Sequence, residues 1–406
     1  MILNKSQKVT FILFGISFLL AIDHLLVVPL VNEIIEDLKM EPSYGGLLIS
    51  SYSLSSAFAG ILTASLSDIL GRKKVIVYGI IGFVISTFAC SLAPNTFLLF
   101  TARIVSGLFG GPVFANINAY VGDYFKAESR TKVMSILAMS FSLSSVLGVP
   151  VGAYLTSLYS WRTPFLVIGI LGIPIIWGVY KYLEHIETGK EKGLSLGQEV
   201  KEMFQISLRP VVFFYVAGAF CMLTGIFGFI SNISIWFSQN YHLNTTEIGH
   251  LFLVGGFASA FGSYLTGKFA NRFADYKIII LGNCAMACAI YFFSNEFYSR
   301  EWIAVGTATM MFSGGLRMPP LRTLGTILVP IYERGRIMSL LSVITSTGIG
   351  VGAFWAAPFI SEGINGRIEG VGTIGLIGSI FTILGAIMVF FVNRLRETRN
   401  PFAEAN

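Results

Sequence analysis

Long apolar runs separated by short polar punctuation dominate this chain. Twelve stretches, 9–36, 44–68, 74–93, 97–122, 133–158, 162–183, 211–238, 247–270, 276–294, 302–327, 337–361 and 371–393, are each apolar over most of their length. A helix crosses the hydrocarbon core of a bilayer with about 20 such residues, so each stretch predicts one membrane-spanning helix. The one long polar interruption, 184–210, carries Glu184, Glu187, Lys190, Glu191, Lys192, Glu199, Lys201 and Glu202 and divides the spans six and six. The expected organisation is a six-helix bundle over 1–183, a cytoplasmic linker over 184–210 and a second six-helix bundle over 211–406. Within the linker, Leu196 to Phe204 alternates apolar and charged residues at helical spacing, which suits either an amphipathic helix on the membrane surface or a solvated connection.

The two halves are related by an internal repeat. Arg130-Thr131-Lys132-Val133-Met134-Ser135 returns as Arg334-Gly335-Arg336-Ile337-Met338-Ser339, an offset of 204. Ala64 to Lys74 returns in weaker form as Gly267 to Lys277 at an offset of 203, with Asn271 for Asp68 and Ala274 for Gly71. Two nearly equal offsets at separate sites point to a duplicated membrane bundle.

Composition agrees with the pattern. The chain is 54% hydrophobic and 12% charged with a mean hydropathy of +0.72, whereas soluble domains are roughly 25% charged. The net charge of +6 matters through its distribution, and 21 of the 28 Lys and Arg residues fall on one set of alternating loops if the N-terminus is inside. That bias places both termini in the cytoplasm and makes nucleic acid an unneeded partner. The first apolar stretch is long and carries Asp23 and Glu33, so it reads as a retained helix and not a cleaved leader. Cys90, Cys221, Cys284 and Cys288 sit within apolar spans with no histidine at a metal-ligand spacing, so they are expected to pack, with no metal site. No Ser/His/Asp arrangement or phosphate-binding loop stands out, so neither an enzyme nor an organic cofactor is expected.

Between the second and third spans lies Asp68-Ile69-Leu70-Gly71-Arg72-Lys73-Lys74. Gly71 permits a sharp turn, Asp68 stands at a helix end, and the three cations hold the turn on the cytoplasmic side. With this turn, Arg103-Ile104-Val105-Ser106-Gly107 in the fourth span, Gly148-Val149-Pro150-Val151-Gly152 in the fifth and Tyr159-Ser160-Trp161-Arg162 after it, the chain resembles the major facilitator superfamily, in its drug:proton antiporter branch with the sugar efflux relatives. The resemblance implies an all-α membrane fold of twelve helices in two pseudo-symmetric bundles. It implies a cytoplasmic gating network of Asp68, Gly71, Arg72 and Asp123, thinned because Ile69 stands where the family usually has an arginine. It also links Arg103 to proton coupling and Gly148, Pro150 and Gly152 to the antiporter signature.

The intramembrane charges carry the chemistry. A mid-span carboxylate costs roughly 2.5–3.5 kcal/mol to insert, and such residues are usually functional. At 1.5 Å per residue, Asp23 lies about 21 Å from the inner start of its span and Arg103 about 9 Å from the outer start of its own, which puts them level in a core of about 30 Å. A proton-coupling Asp23/Arg103 pair is therefore expected; a static bridge pinning two helices is the alternative. Arg317, mid-span in the tenth stretch, suits an anionic substrate group or a helix-end carbonyl, while Arg322 has the reach to snorkel to the cytoplasm. His24 adjoins Asp23 but points to another helix face, which suits a spectator or a place in the substrate cavity; Phe227 and Trp236 suit a cavity wall or plain packing.

The expected function is export of a small molecule (drug, sugar or metabolite) by proton antiport, driven by the proton gradient, from a monomer in the bacterial inner membrane. A lipid flippase or passive facilitator on the same fold, or a nontransporting receptor or scaffold, are the alternatives.

Overall fold

The computed structural model describes residues 4–186, 196–269, 273–295, 300–330, 333–363 and 365–399. It is built almost wholly of helices: α1 (Lys5–Leu38), α2 (Tyr44–Leu70), α3 (Arg72–Ser91), α4 (Thr96–Tyr124), α5 (Ala127–Leu143), α6 (Val149–Leu158), α7 (Arg162–Tyr182), α8 (Leu196–Ser207), α9 (Pro210–Ile230), α10 (Ile233–Tyr241), α11 (Thr245–Phe269), α12 (Asp275–Phe293), α13 (Arg300–Ile327), α14 (Arg334–Ala356) and α15 (Val371–Arg399). Among the described residues, eleven helical segments are long and apolar enough to span a bilayer. The tenth stretch forms α13, which at 28 residues has the length but is more polar, carrying Arg300, Glu301, Arg317 and Arg322. Leu196 to Phe204 is helical, within α8.

The ends of these helices are set by local chemistry. Asn4 begins α1 with a reciprocal cap: the Gln7 N–H donates to Asn4 Oδ1 at 2.8 Å and the Asn4 N–H donates to Gln7 Oε1 at 3.0 Å. Asn95 caps α4 by accepting from the Leu98 N–H at 2.9 Å. Three expected single elements are interrupted. The fifth stretch contains a π-helical turn, Ser144–Gly148, between α5 and α6. It lies just before Pro150, which has no N–H to continue the ladder and whose ring crowds the preceding turn. The seventh stretch breaks at Ser231 and Asn232, both buried, whose side chains donate to the Gly228 carbonyl and so compete with the helix ladder. The eleventh ends earlier than expected, with a 3-10 turn at Ala357–Phe359 after α14, and a two-stranded antiparallel hairpin, β1 (Ser361–Glu362) and β2 (Ile368–Glu369), precedes α15.

The chain divides into two compact units, Met1–Glu199 with His242–Leu253, and Val200–Tyr241 with Val254–Asn406. In the first, α2 and α3 pack along α4, α7 lies on α3, and α1 is flanked by α5, α6 and α7. In the second, α9 lies between α14 and α15, and α12 between α13 and α15, around a core that includes Tyr215, Met222, Leu321 and Val389.

The duplication extends into the packing. A Cβ on Gly111 of α4 would overlap the Ser56 carbonyl of α2, and a Cβ on Gly315 of α13 would overlap the Ser259 carbonyl of α11. Residues 56 and 259, and 111 and 315, are related by the offsets of 203 and 204 already visible in the loops. Without a hydrophobic drive between helices in lipid, such close backbone approach is what holds them together.

Pro319 and Pro320 lie inside α13 and leave the carbonyls of Gly315 and Leu316 without helical donors. The α11 hydroxyls fill both places: Ser263 Oγ donates to Gly315 O at 3.1 Å and Thr266 Oγ1 donates to Leu316 O at 2.9 Å. Interhelical bonds of this kind average about 0.6 kcal/mol and reach about 1.7 kcal/mol. Ser263→Ala and Thr266→Val should each destabilise by about that much, read as a fall in unfolding free energy in mixed micelles.

Candidate functional site

The first unit holds a buried ion pair. Asp23 of α1 is 0% exposed and Arg103 of α4 is 1% exposed. Arg103 Nη1 donates to Asp23 Oδ2 at 2.8 Å. The contact is single, because Asp23 Oδ1 and Arg103 Nε have no hydrogen-bond partner. Two aromatic faces flank the guanidinium: its Cζ lies 4.6 Å from the Tyr52 ring centroid and 6.0 Å from that of Phe165. A cation over an aromatic face is held by the ring quadrupole, which partly replaces water. His24 joins the same cluster, with its ring centroid 5.3 Å from that of Tyr52. The expected spectator thus packs on the residue that covers Arg103. Ser106, one turn from Arg103, donates to Ser86 of α3 at 2.9 Å.

Small residues make this cluster compact. A Cβ on Gly107 would overlap Ser55 and the Tyr52 carbonyl, so α4 presses its arginine-bearing face onto α2. Gly148 and Gly152 set the backbone around the π turn and α6 directly against Ile22 and Leu26 of α1, which bracket Asp23 in sequence. Pro150 lies between these glycines in the first turn of α6, next to the π turn. The three residues singled out in the fifth stretch therefore shape the wall behind the acid.

The turn joining α2 to α3 forms a second site in this unit. Gly71 has φ of +82°, outside what other residues adopt comfortably, and a Cβ there would lie 2.9 Å from His185 Cε1. Arg72 opens α3 and pairs with Asp123 in the last turn of α4. Lys73 Nζ donates to the Tyr180 carbonyl at 3.1 Å. The backbone of Asp68 is in the last turn of α2; its side chain lies outside the described residues. At the far end of α1, Asp37 accepts from Arg162 Nη1 at 2.7 Å and from Trp161 Nε1 at 3.1 Å, while Arg162 Nη2 donates to Ala93 O at 3.0 Å. The Trp-Arg element thus ties α1, the α3–α4 turn and α7.

The second unit carries a different charge arrangement. Arg317 of α13 is buried and its Nη1 donates to Asn283 Oδ1 of α12 at 2.6 Å. Phe227 packs against the apolar core of this unit, and Trp236, buried among Phe229, Phe237 and Tyr241, lines a pocket with them, Ile303 and Met310. Arg209, before α9, forms a two-point pair with Glu333 at 2.5 and 2.9 Å, and those hydrogen bonds hold the Glu333 carboxyl below its ordinary value. Among the described residues no group of three or more His, Cys, Asp and Glu is arranged to hold a metal. Sequence reasoning missed Tyr52, Phe165 and Asn283. Tyr52 and Phe165 are ordinary residues for an apolar span, while Asn283 is a polar amide within one and was the available signal; only helix rotation turns the three toward an arginine.

A family profile described as the Major Facilitator Superfamily matches residues 13–353. The chain is similar to YceJ of Bacillus subtilis (strain 168), an uncharacterized MFS-type transporter, at 26% identity over 84% of this chain and 86% of that one. It is 25% identical to the class C tetracycline resistance protein of Escherichia coli over 84% of this chain and 87% of that one. Among solved structures, a bacterial homologue of the human lysosomal transporter Spinster aligns with a TM-score of 0.73 at 20% identity, over 97% of this chain and 98% of the other. The D-xylose-proton symporter aligns with a TM-score of 0.75 at 16% identity, over 95% and 98%.

Gly71→Ala should cost about 1–3 kcal/mol, the usual cost of a side chain in such a backbone region, measured as a lowered melting temperature in detergent. Glu333 is expected to give a pH signature. A carboxyl held low in the folded state contributes stability that is complete above its unfolded value of about 4.3 and is lost as pH falls through the lower folded value. Melting temperatures of the protein and of Arg209→Gln should therefore differ near pH 6 and converge towards pH 3.

Proposed function

Because the chain belongs to the Major Facilitator Superfamily, we propose that this multi-pass membrane protein exports a small organic molecule in exchange for protons, with Asp23 and Arg103 as its coupling pair. The observation that carries this reading is the isolated ion pair itself. An acid and a base are kept in a water-excluded cluster, joined through one oxygen and one nitrogen only. Packing alone would be served as well by apolar residues, since buried ion pairs rarely add net stability. Similar proteins named for resistance to tetracycline and to quinolones support efflux as the direction.

In this reading a proton enters at Asp23 Oδ1, the oxygen without a hydrogen bond. Protonation cancels the carboxylate charge and weakens its hold on Arg103, which stays cationic against the Tyr52 and Phe165 rings. The link between α1 and α4 slackens. The Ile22 and Leu26 side chains seat in the notches at Gly148 and Gly152, so a shift of α1 is passed directly to the jointed α5–α6 segment. Proton binding then moves the balance between inward-open and outward-open states by as much as the two states differ in proton affinity, about 1.4 kcal/mol for each tenfold difference. Substrate and proton favour opposite states and so alternate. The Arg72/Asp123 pair and the Gly71 turn act as the cytoplasmic gate, with both termini in the cytoplasm, in the inner membrane of a bacterial cell. The transporter works as a monomer.

The test is proton movement in everted vesicles under an imposed pH gradient, with a mixed drug, sugar and metabolite panel. A compound should discharge the gradient with the unaltered protein and fail to do so with Asp23→Asn. Equal discharge by Asp23→Asn would make the pair a static brace and refute the coupling role.

A further inference from the structure

Arg317 and Asn283 in the second unit are not used by the coupling pair, and their surroundings say what they are suited to bind. Arg317 is 2% exposed and Asn283 0% exposed. Their mutual hydrogen bond fixes the orientation of the amide, because a guanidinium only donates and so must face Oδ1. The Asn283 Nδ2 group therefore points away from Arg317, and it has no hydrogen-bond acceptor; neither does Arg317 Nε. Two neighbouring buried groups thus hold donors without acceptors. Among the described residues no carboxylate forms an ion pair with Arg317, whereas Arg103 of the first unit has Asp23. The cluster is one positive charge with spare donors, and its complement is an anion with two acceptor oxygens.

The helix that carries Arg317 is also the one with a weakened ladder. Pro319 and Pro320 follow two and three residues later, and the freed carbonyls are held by hydroxyls of α11 and not by α13 itself. Across the duplication the arrangement is specific to one half. A Cβ on Gly79 of α3 would overlap Val113 of α4, and at offsets of 203 and 204 a Cβ on Gly282 of α12 would lie 3.1 Å from the Cβ of Arg317. The same helix crossing carries an inert valine in one unit and a buried cation in the other.

We infer that Arg317 and Asn283 form an anion-recognition site in the second unit, and that the transported molecule carries a carboxylate that accepts from Arg317 and from the Asn283 amide. This rests on the transporter reading and narrows its substrate class to organic acids. The carboxylate replaces the missing counter-charge. In the present state the cluster is closed to solvent, and α13, whose ladder is interrupted at its two prolines, is the element that moves to admit the ligand.

The experiment is equilibrium binding to the purified full chain in detergent, with no pH gradient, using aryl and alkyl carboxylates each paired with its neutral primary amide, for example 4-phenylbutyrate with 4-phenylbutyramide. At least one acid should bind ten-fold or more tightly than its amide. Arg317→Gln should abolish that preference. Asn283→Asp supplies an internal carboxylate to Arg317 without removing the arginine, so it should fold and also lose the preference, which covers the case where Arg317→Gln does not fold. The inference is overturned if no acid in the panel outbinds its amide, or if the preference survives in Asn283→Asp. Binding is read without transport, so acid selectivity that disappears in Asn283→Asp stands even if Asp23→Asn shows proton antiport to be wrong, and the converse holds too.

Discussion

A chain that crosses a bilayer twelve times has no water to complete its hydrogen bonds, and each buried polar group must find a partner in the protein. The folded chain answers that demand at several breaks in its helices and leaves it open at Asp23 Oδ1, Arg103 Nε, Asn283 Nδ2 and Arg317 Nε. The carbonyls freed by Pro319 and Pro320 take hydroxyl donors from α11, and the break at Ser231 and Asn232 is filled by the side chains of the break itself. Where a charge is buried, it is either paired, as Arg103 with Asp23, or left with a neutral partner, as Arg317 with Asn283. The second case stands out against the first because, among the described residues, its cation has no carboxylate opposite it.

The same solvent removes the hydrophobic drive between helices, so closeness of fit must supply it. Gly107 and Gly111 bring α4 against α2, Gly315 brings α13 against α11, and Gly148 and Gly152 seat the jointed fifth segment on α1. These contacts lie beside the buried charges. A glycine seam holds by dispersion at short range, with the side chains of the facing helix seated in the space that the missing Cβ atoms leave. The buried charges and the close helix contacts therefore share one neighbourhood.

Several parts of the candidate site were legible in the chain itself. Counting 1.5 Å per residue from span ends put Asp23 and Arg103 at one depth, and they are hydrogen-bonded. The turn at Gly71 followed from a short stretch whose conformation is local, and the pairing of Arg72 with Asp123 is what the family resemblance implied. Tyr52, Phe165 and Asn283 were not legible, and His24 was read as facing elsewhere. Depth along a helix can be counted from sequence, but its rotation about the axis cannot, and a shift of one position turns a side chain by about 100°. The break of the seventh stretch was hidden for another reason: Ser231 and Asn232 are two polar residues within an apolar run, and whether they interrupt a helix depends on the neighbours that receive them.

By itself the sequence determined the membrane environment, the duplicated halves and the depth of each intramembrane charge, because these follow from hydropathy, spacing and rise per residue, which are properties of the chain. The tertiary structure alone decided which face of each helix meets which neighbour. That choice settles that Arg103 finds a carboxylate and two aromatic rings while Arg317 finds only an amide. The physical reason is that helix rotation in lipid is selected by the fit of small residues and the satisfaction of buried donors, and both depend on atoms that are distant in sequence.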